Sequence, residues 1–164
     1  MSLFPPIDDN SLYFSMYNEE KPWSRYSVKP FNLDDAEWQS LEHYYQAMKF
    51  DNLDYQEKIR LASTPQEAAK LGNARFKKKR SDWKAVETVV MTRAVYTQCR
   101  TYSEMASDLL ATNDENLIED SQFDYFWGCG RDRRGKNHYG QVLMNVRTKL
   151  FEERERSEEE TSVS

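Results

Sequence analysis

Residues 40–50, SLEHYYQAMKF, constrain the fold more than any other stretch of this chain. Leu41, Tyr44, Tyr45 and Met48 recur at i, i+3, i+4 and i+7, the spacing of one apolar helix face. Ser40 stands where an N-cap belongs, and the pattern predicts a helix running to Phe50. Glu42, Gln46 and Lys49 form a second, polar stripe beside the apolar one. Glu42 and Lys49 lie two turns apart, about 10 Å along the axis. That is too far for a direct ion pair, yet close enough for both to line one cleft. Two readings compete. Two charges at the edge of a core can simply snorkel to solvent. Alternatively they are partly desolvated, which lowers a Lys pKa and raises a Glu pKa. A neutral Lys is a nucleophile toward carbonyl-like carbon, and a protonated Glu is a general acid. His43, next to Glu42 but on another face from Lys49, reads as a structural core-edge histidine.

The rest of the chain supplies partners for such a helix. With 164 residues, the chain is long enough to bury a core without disulfides. Its 10 Tyr, 8 Phe and 4 Trp exceed what a disordered chain carries. Residues 12–17 are β-prone. Residues 31–38 suggest a hairpin with Asp34-Asp35 at its tip. Thr64-Pro65-Gln66-Glu67 combines an N-cap, Pro at the first helical position and a capping Glu, and the helix it starts should stop at Gly72. Further helices are expected over residues 82–98, 103–111 and 139–152, with a short strand or turn around Leu117 and Ile118. The expected fold class is α+β, predominantly α-helical, with a small N-terminal β component. The expected organisation is a lead-in over residues 1–11, one folded domain over 12–151, and an acidic tail over 152–164, read as a fraying helix end or disordered.

Charge and cysteine content narrow the function classes. The net charge is −5. Residues 152–160, EERERSEEE, contribute −4 of it. The remaining body is near neutral with two basic clusters, RFKKKRSDWK at 75–84 and RDRRGK at 131–136. Such clusters bind phosphate or simply face water. No apolar run approaches the roughly 20 residues of a membrane span, and the start MSLFPPIDDN lacks the basic and apolar regions of a secretory signal. Two cysteines at no special spacing argue against a disulfide framework and a structural zinc site. Reduced thiols in a cytoplasmic protein are the expectation, with Cys99 buried and inert.

Residues 123–137, FDYFWGCGRDRRGKN, form the second chemistry-bearing segment. Glycines let a backbone approach a ligand, a Trp offers a flat stacking surface, and arginines take phosphate by paired hydrogen bonds. The spacing matches neither a dinucleotide-binding turn nor a phosphate-binding Walker loop. Glu119, Asp120 and Asp124 are carboxylates able to do acid–base work on a glycosidic bond, or to offset the nearby arginines. An ordinary basic surface loop is the competing reading.

The ordered motifs add what spacing alone does not. Residues 42–50, EHYYQAMKF, resemble the EHYxQAxKF signature of the YbiA-like, or NADAR, family. Thr64-Pro65, Glu67-Ala68 and Leu71-Gly72 are similar to its TPxEAxxLG step. Arg80, Asp82 and Trp83 resemble its RxDW, with Met91 following, and residues 109–112 resemble its LLxT, with Leu117 and Glu119 after it. Asp124, Trp127-Gly128 and Gly130 fit D-x-x-W-G-x-G. Gly135, Asn137 and Gly140 fit G-x-N-x-x-G, and Leu143-Met144 with Arg147 fit LMxxR. The resemblance covers roughly residues 12–151. One departure stands out: where the family usually carries Asn-Phe ahead of a Pro-Phe, this chain has Arg25-Tyr26 ahead of Pro30-Phe31.

This resemblance implies a YbiA-like fold and hydrolysis of an N-glycosidic bond between ribose and a nitrogen base or amine. Bacterial relatives act on early riboflavin-pathway ribosylaminopyrimidine phosphates. Other relatives remove ADP-ribose from modified guanine in nucleic acid, and a non-catalytic nucleotide-sugar binding module is a further alternative. On this reading Lys49 attacks or forms an imine at the anomeric carbon, and Glu119 or Asp124 moves the proton at the leaving nitrogen. Glu42 positions Lys49 or the ribose hydroxyls. Trp83 or Trp127 stacks on the base, and Gly128, Arg131, Asn137, Arg147 and Ser24 contact phosphate or ribose. No metal and no organic cofactor is implied. The expected partner is a small-molecule ribosyl phosphate, with ADP-ribosylated nucleic acid as the alternative and no membrane; the sequence fixes no oligomeric state.

Overall fold

The computed structural model describes residues 10–17 and 21–163. Most of the expected lead-in therefore lies outside the described residues. Six helices and four short strands are present among them, so the chain is α+β and mostly helical. It forms two compact units. One combines the N-terminal segment through Phe14 with the chain from Tyr102 onward, and the other is Ser15–Thr101.

The unit Ser15–Thr101 is built around the 40–50 segment. Strands β2 (Phe31–Leu33) and β3 (Ala36–Trp38) form the expected hairpin. Asp34 and Asp35 turn it at φ 52° and 62°, the left-handed pair that a tight hairpin turn needs. Helix α1 (Leu41–Ala47) starts where Ser40 Oγ accepts the His43 amide. It ends three residues before the expected Phe50. Met48 caps it, and the Lys49 amide bonds back to Gln46 O in a tightened last turn. Helix α2 (Leu53–Arg60) was not expected. It is capped by Asn52, whose side chain accepts the Tyr55 amide, and it buries only Tyr55 and Ile59. Helix α3 (Pro65–Gly72) has the expected Thr64 cap, and the Glu67 carboxylate reaches back to the Ser63 amide. Helix α4 (Trp83–Thr101) buries Trp83, Glu87, Val90, Met91, Ala94 and Val95, and packs on α1 and β2.

In the other unit, β1 (Ser11–Phe14) pairs in parallel with β4 (Asn116–Glu119), Ser11 opposite Asn116 and Phe14 opposite Glu119. The expected strand over 12–17 thus ends at Phe14. Helix α5 (Ser103–Ala111) falls where its pattern placed it. Helix α6 (His138–Val163) buries Tyr139, Val142, Leu143, Val146 and Leu150 against α5 and β4. The acidic stretch continues it as exposed helix as far as Val163.

Candidate active site

The polar stripe of α1 is buried. Glu42 is 2% exposed and Lys49 4%, so neither snorkels. Glu42 accepts a 2.6 Å hydrogen bond from Gln46 Nε2, and its other oxygen pairs with Arg25 Nη1 at 3.4 Å. Arg25 is itself 2% exposed and also contacts Met16 Sδ. Gly72, closing α3, packs on the Gln46 amide, leaving no room there for a Cβ.

Lys49 lies just past the α1 cap. Its carbonyl accepts the Arg80 amide at 2.7 Å, and its Nζ donates to Asn73 Oδ1 at 3.0 Å. Nζ also stands 5.1 Å from the centroid of the Tyr45 ring, within cation–π range. Burial pushes the Lys49 pKa down to about 8, and the charges of Lys79 and Lys84 add to the shift while Glu42 and Glu87 oppose it. At pH 7 roughly one tenth of such an amine is neutral, against well under one thousandth for an ordinary lysine. A carboxylate, an amide and an amine are thus buried along one polar stripe, where desolvation lets the amine act as a nucleophile.

His43 has no such freedom. Nε2 faces Ala62 O at 3.0 Å, an acceptor, so Nε2 carries the proton and Nδ1 accepts from Ser40 Oγ at 2.7 Å. Burial holds its pKa below the usual value. It is the structural histidine that the sequence suggested. Trp83 is almost fully buried, its ring tilted on Tyr45 at 5.2 Å. Ser24 is buried and donates to Ser15 O.

The candidates in the other unit are held by local bonds. Asp124 Oδ1 accepts the Phe126 and Trp127 amides. Asn137, at φ 52°, accepts the Glu119 amide and donates to Leu117 O, acting as a one-residue strand against β4. Arg147 is buried and donates to Thr112 Oγ1 and Glu115 O, and burial lowers its pKa. Gly128 is required by packing: a Cβ there would lie 2.7 Å from Ser121 Cβ. Glu119 and Trp127 are buried and Arg131 is exposed. Asn137 also lines a cavity of about 300 Å³ with Tyr13, Leu117, Cys129 and Arg133. Cys99 is buried and its thiol is pushed up to about 12, as befits an inert residue. Among the described residues no cluster of three His, Cys, Asp or Glu is placed to hold a metal ion.

Sequence reasoning did not assign roles to Asn73, Tyr45 or Glu87, and noted Arg25 only as a departure. Glu87 left a signal: it is a charge on the stripe of α4 that Trp83, Val90 and Ala94 make apolar.

Similarity to known proteins agrees with the geometry. The profile described as NADAR domain matches residues 6–151. An N-glycosidase of Nostoc punctiforme is 37% identical over 141 residues, covering 84% of this chain and 90% of that protein. The N-glycosidase YbiA of Escherichia coli is 35% identical over 138 residues, covering 84% of this chain and 86% of that protein. A chloroplastic riboflavin biosynthesis protein of Zea mays is 40% identical over 130 residues, 73% of this chain but 21% of that longer protein. The NMR structure of E. coli YbiA superposes with a TM-score of 0.82 at 32% identity, covering 94% of this chain and 95% of that one.

Proposed function

This chain belongs to the NADAR domain family, and from that premise we infer that Lys49 is the nucleophile of its reaction. The protein is an N-glycosidase, a hydrolase acting on N-glycosyl bonds, as its full-length relatives are named. Relatives named as riboflavin biosynthesis proteins tie the activity to that pathway. The substrate proposed is a ribosylaminopyrimidine 5′-phosphate from the early part of that pathway.

The observation that carries this reading is an amine 4% exposed, held by Asn73 Oδ1 and the Tyr45 ring face, whose burial lowers its pKa to about 8. The neutral Lys49 amine adds to the C1 of the ring-opened ribosylamine imine. The two protons of the lysine nitrogen pass in turn to the departing nitrogen, the aminopyrimidine leaves, and an imine between Lys49 and ribose remains. Water then adds to that imine, releases ribose 5-phosphate and restores the amine. Glu42, held by Gln46 and Arg25, fixes the negative charge beside this chemistry. Arg25, the departure from the family pattern that the sequence resembles, is the residue to vary when substrates are compared.

The reading is tested by chromatographic release of free aminopyrimidine and ribose 5-phosphate from the synthetic substrate. Lys49→Ala should lower kcat by at least about 1,000-fold. A Lys49→Arg variant with full activity would remove the lysine from the mechanism.

One observation favours a second substrate, ADP-ribosylated guanine in nucleic acid. Residues 75–80 carry five basic side chains, and Phe76 among them is 94% exposed. Exposed aromatics between cations suit single-stranded nucleic acid. The same release assay on an ADP-ribosylated oligonucleotide decides between the two, by whether ADP-ribose appears faster than ribose 5-phosphate does from the small substrate.

A further inference from the structure

Glu87 is a carboxylate with no place in the reaction just described. It projects from the buried face of α4 and is 5% exposed. The Tyr45 hydroxyl donates to its Oε2 at 3.3 Å, and Lys84 Nζ, well exposed, stands 3.8 Å from its Oε1. The Tyr45 ring carries the Lys49 amine on its face, 5.1 Å from the centroid, and is backed by Trp83. A phenol that donates to a carboxylate gains electron density in its ring, and an electron-rich ring face holds a cation more strongly.

We propose that Glu87 is a positioning residue for the Lys49 amine, clamping the Tyr45 phenol so that its ring face forms the floor on which the amine rests. Asn73 Oδ1 supplies the other anchor, at 3.0 Å from Nζ. Together they fix the amine from α4, from α1 and from the end of α3. The proposal rests on Lys49 being the reacting group, and it concerns how that group is held.

The arrangement has an electrostatic consequence. The charged groups acting on the amine are Glu42 from α1, with Arg25 paired to that carboxylate, Lys79 from the 73–82 loop, and Lys84 and Glu87 from α4. Lys79 and Lys84 favour the neutral amine, and Glu42 and Glu87 favour the ammonium. Removing the Glu87 charge tips this balance toward the neutral form. It also replaces a charged acceptor of the Tyr45 hydroxyl by a neutral amide oxygen, so the amine is more often neutral and the phenol beneath it less firmly held.

The test uses Glu87→Gln and Tyr45→Phe in the full chain. Two quantities are followed against pH: the kcat/KM profile, and the titration of the Lys49 amine itself, read by NMR of the ¹³C-dimethylated lysine. Glu87→Gln should move the Lys49 titration to lower pH by about one unit. The acid limb of kcat/KM should move with it, while kcat above pH 9 falls about two- to threefold as the weakened phenol bond loosens the amine. Tyr45→Phe keeps the ring and the Glu87 charge but loses the phenol bond, so it should move the titration the same way by less and lower kcat above pH 9 by more. Glu87→Asp should restore the titration in part. An unmoved Lys49 titration in both Glu87→Gln and Tyr45→Phe would overturn the proposal, and a fall in thermal midpoint alone would then mark Glu87 as structural. A shifted titration with an unmoved kcat/KM limb would uphold the positioning and remove Lys49 as the reacting group. Should Glu87→Gln fail to fold, Tyr45→Phe carries the same test.

Discussion

Lys49 shows what a site residue costs a fold. Its pKa is held near 8 in the folded chain against about 10.4 when unfolded. The unfolded chain therefore binds more protons between those values, and stability rises with pH across that window. Below about pH 8 the buried charge costs on the order of 3 kcal/mol. Lys49→Met should thus stabilise the protein at pH 7 by about 1–2 kcal/mol, because loss of the Asn73 bond and of a counter-charge for Glu42 offsets part of the gain. Urea unfolding at pH 7 and pH 10 checks this: the advantage of the variant should shrink at the higher pH. Activity has a related sign. The neutral amine is the reactive form, so kcat/KM should fall about tenfold per unit as pH drops below 8. At this scale the sequence was only half legible. The stripe of Glu42, Gln46 and Lys49 was visible, but the segment alone favoured two snorkelling charges over two buried ones. What decides between them is Arg25, Gly72, Asn73 and Glu87, all contributed by other segments. His43 was legible because it stands at the core edge beside Glu42 and on another face from Lys49.

At the scale of elements, local chemistry was readable and long-range pairing was not. Caps at Ser40 and Thr64, the Asp34-Asp35 turn and the α5 boundaries all follow from neighbours in sequence. Helix α2 escaped because it is only eight residues long and buries two side chains, although Asn52 caps it. The parallel pairing of β1 with β4 joins residues more than 100 positions apart, and no local pattern encodes it. Asn137 completes that small sheet through two side-chain bonds to β4. Asn137→Ala leaves a partly buried amide and carbonyl unpaired and should cost about 2 kcal/mol, measured by thermal or urea unfolding. Gly72→Ala should lower both stability, by about 1–3 kcal/mol, and activity. The added methyl meets the Gln46 amide, and Gln46 is what orients Glu42, so kcat should drop while the helix retains its cap.

At the scale of the whole molecule, two compact units share one chain, and the buried amine lies wholly within Ser15–Thr101. The exposed end of α6 adds nothing to either core beyond Leu150 and Phe151. Its three consecutive glutamates, Glu158 to Glu160, lie in the last turns of the helix, where the macrodipole disfavours negative charge. Removing residues 153–164 should leave the unfolding free energy within about 0.5 kcal/mol of the full chain and kcat unchanged. The central claim is that the reaction passes through an imine on Lys49. It is tested most directly by mixing the enzyme with ribosylaminopyrimidine 5′-phosphate, reducing with cyanoborohydride and locating any adduct by peptide mass spectrometry. The account predicts one reduced ribose 5-phosphate on Lys49, absent without substrate. Release of the base at full rate with no adduct on Lys49 would contradict it.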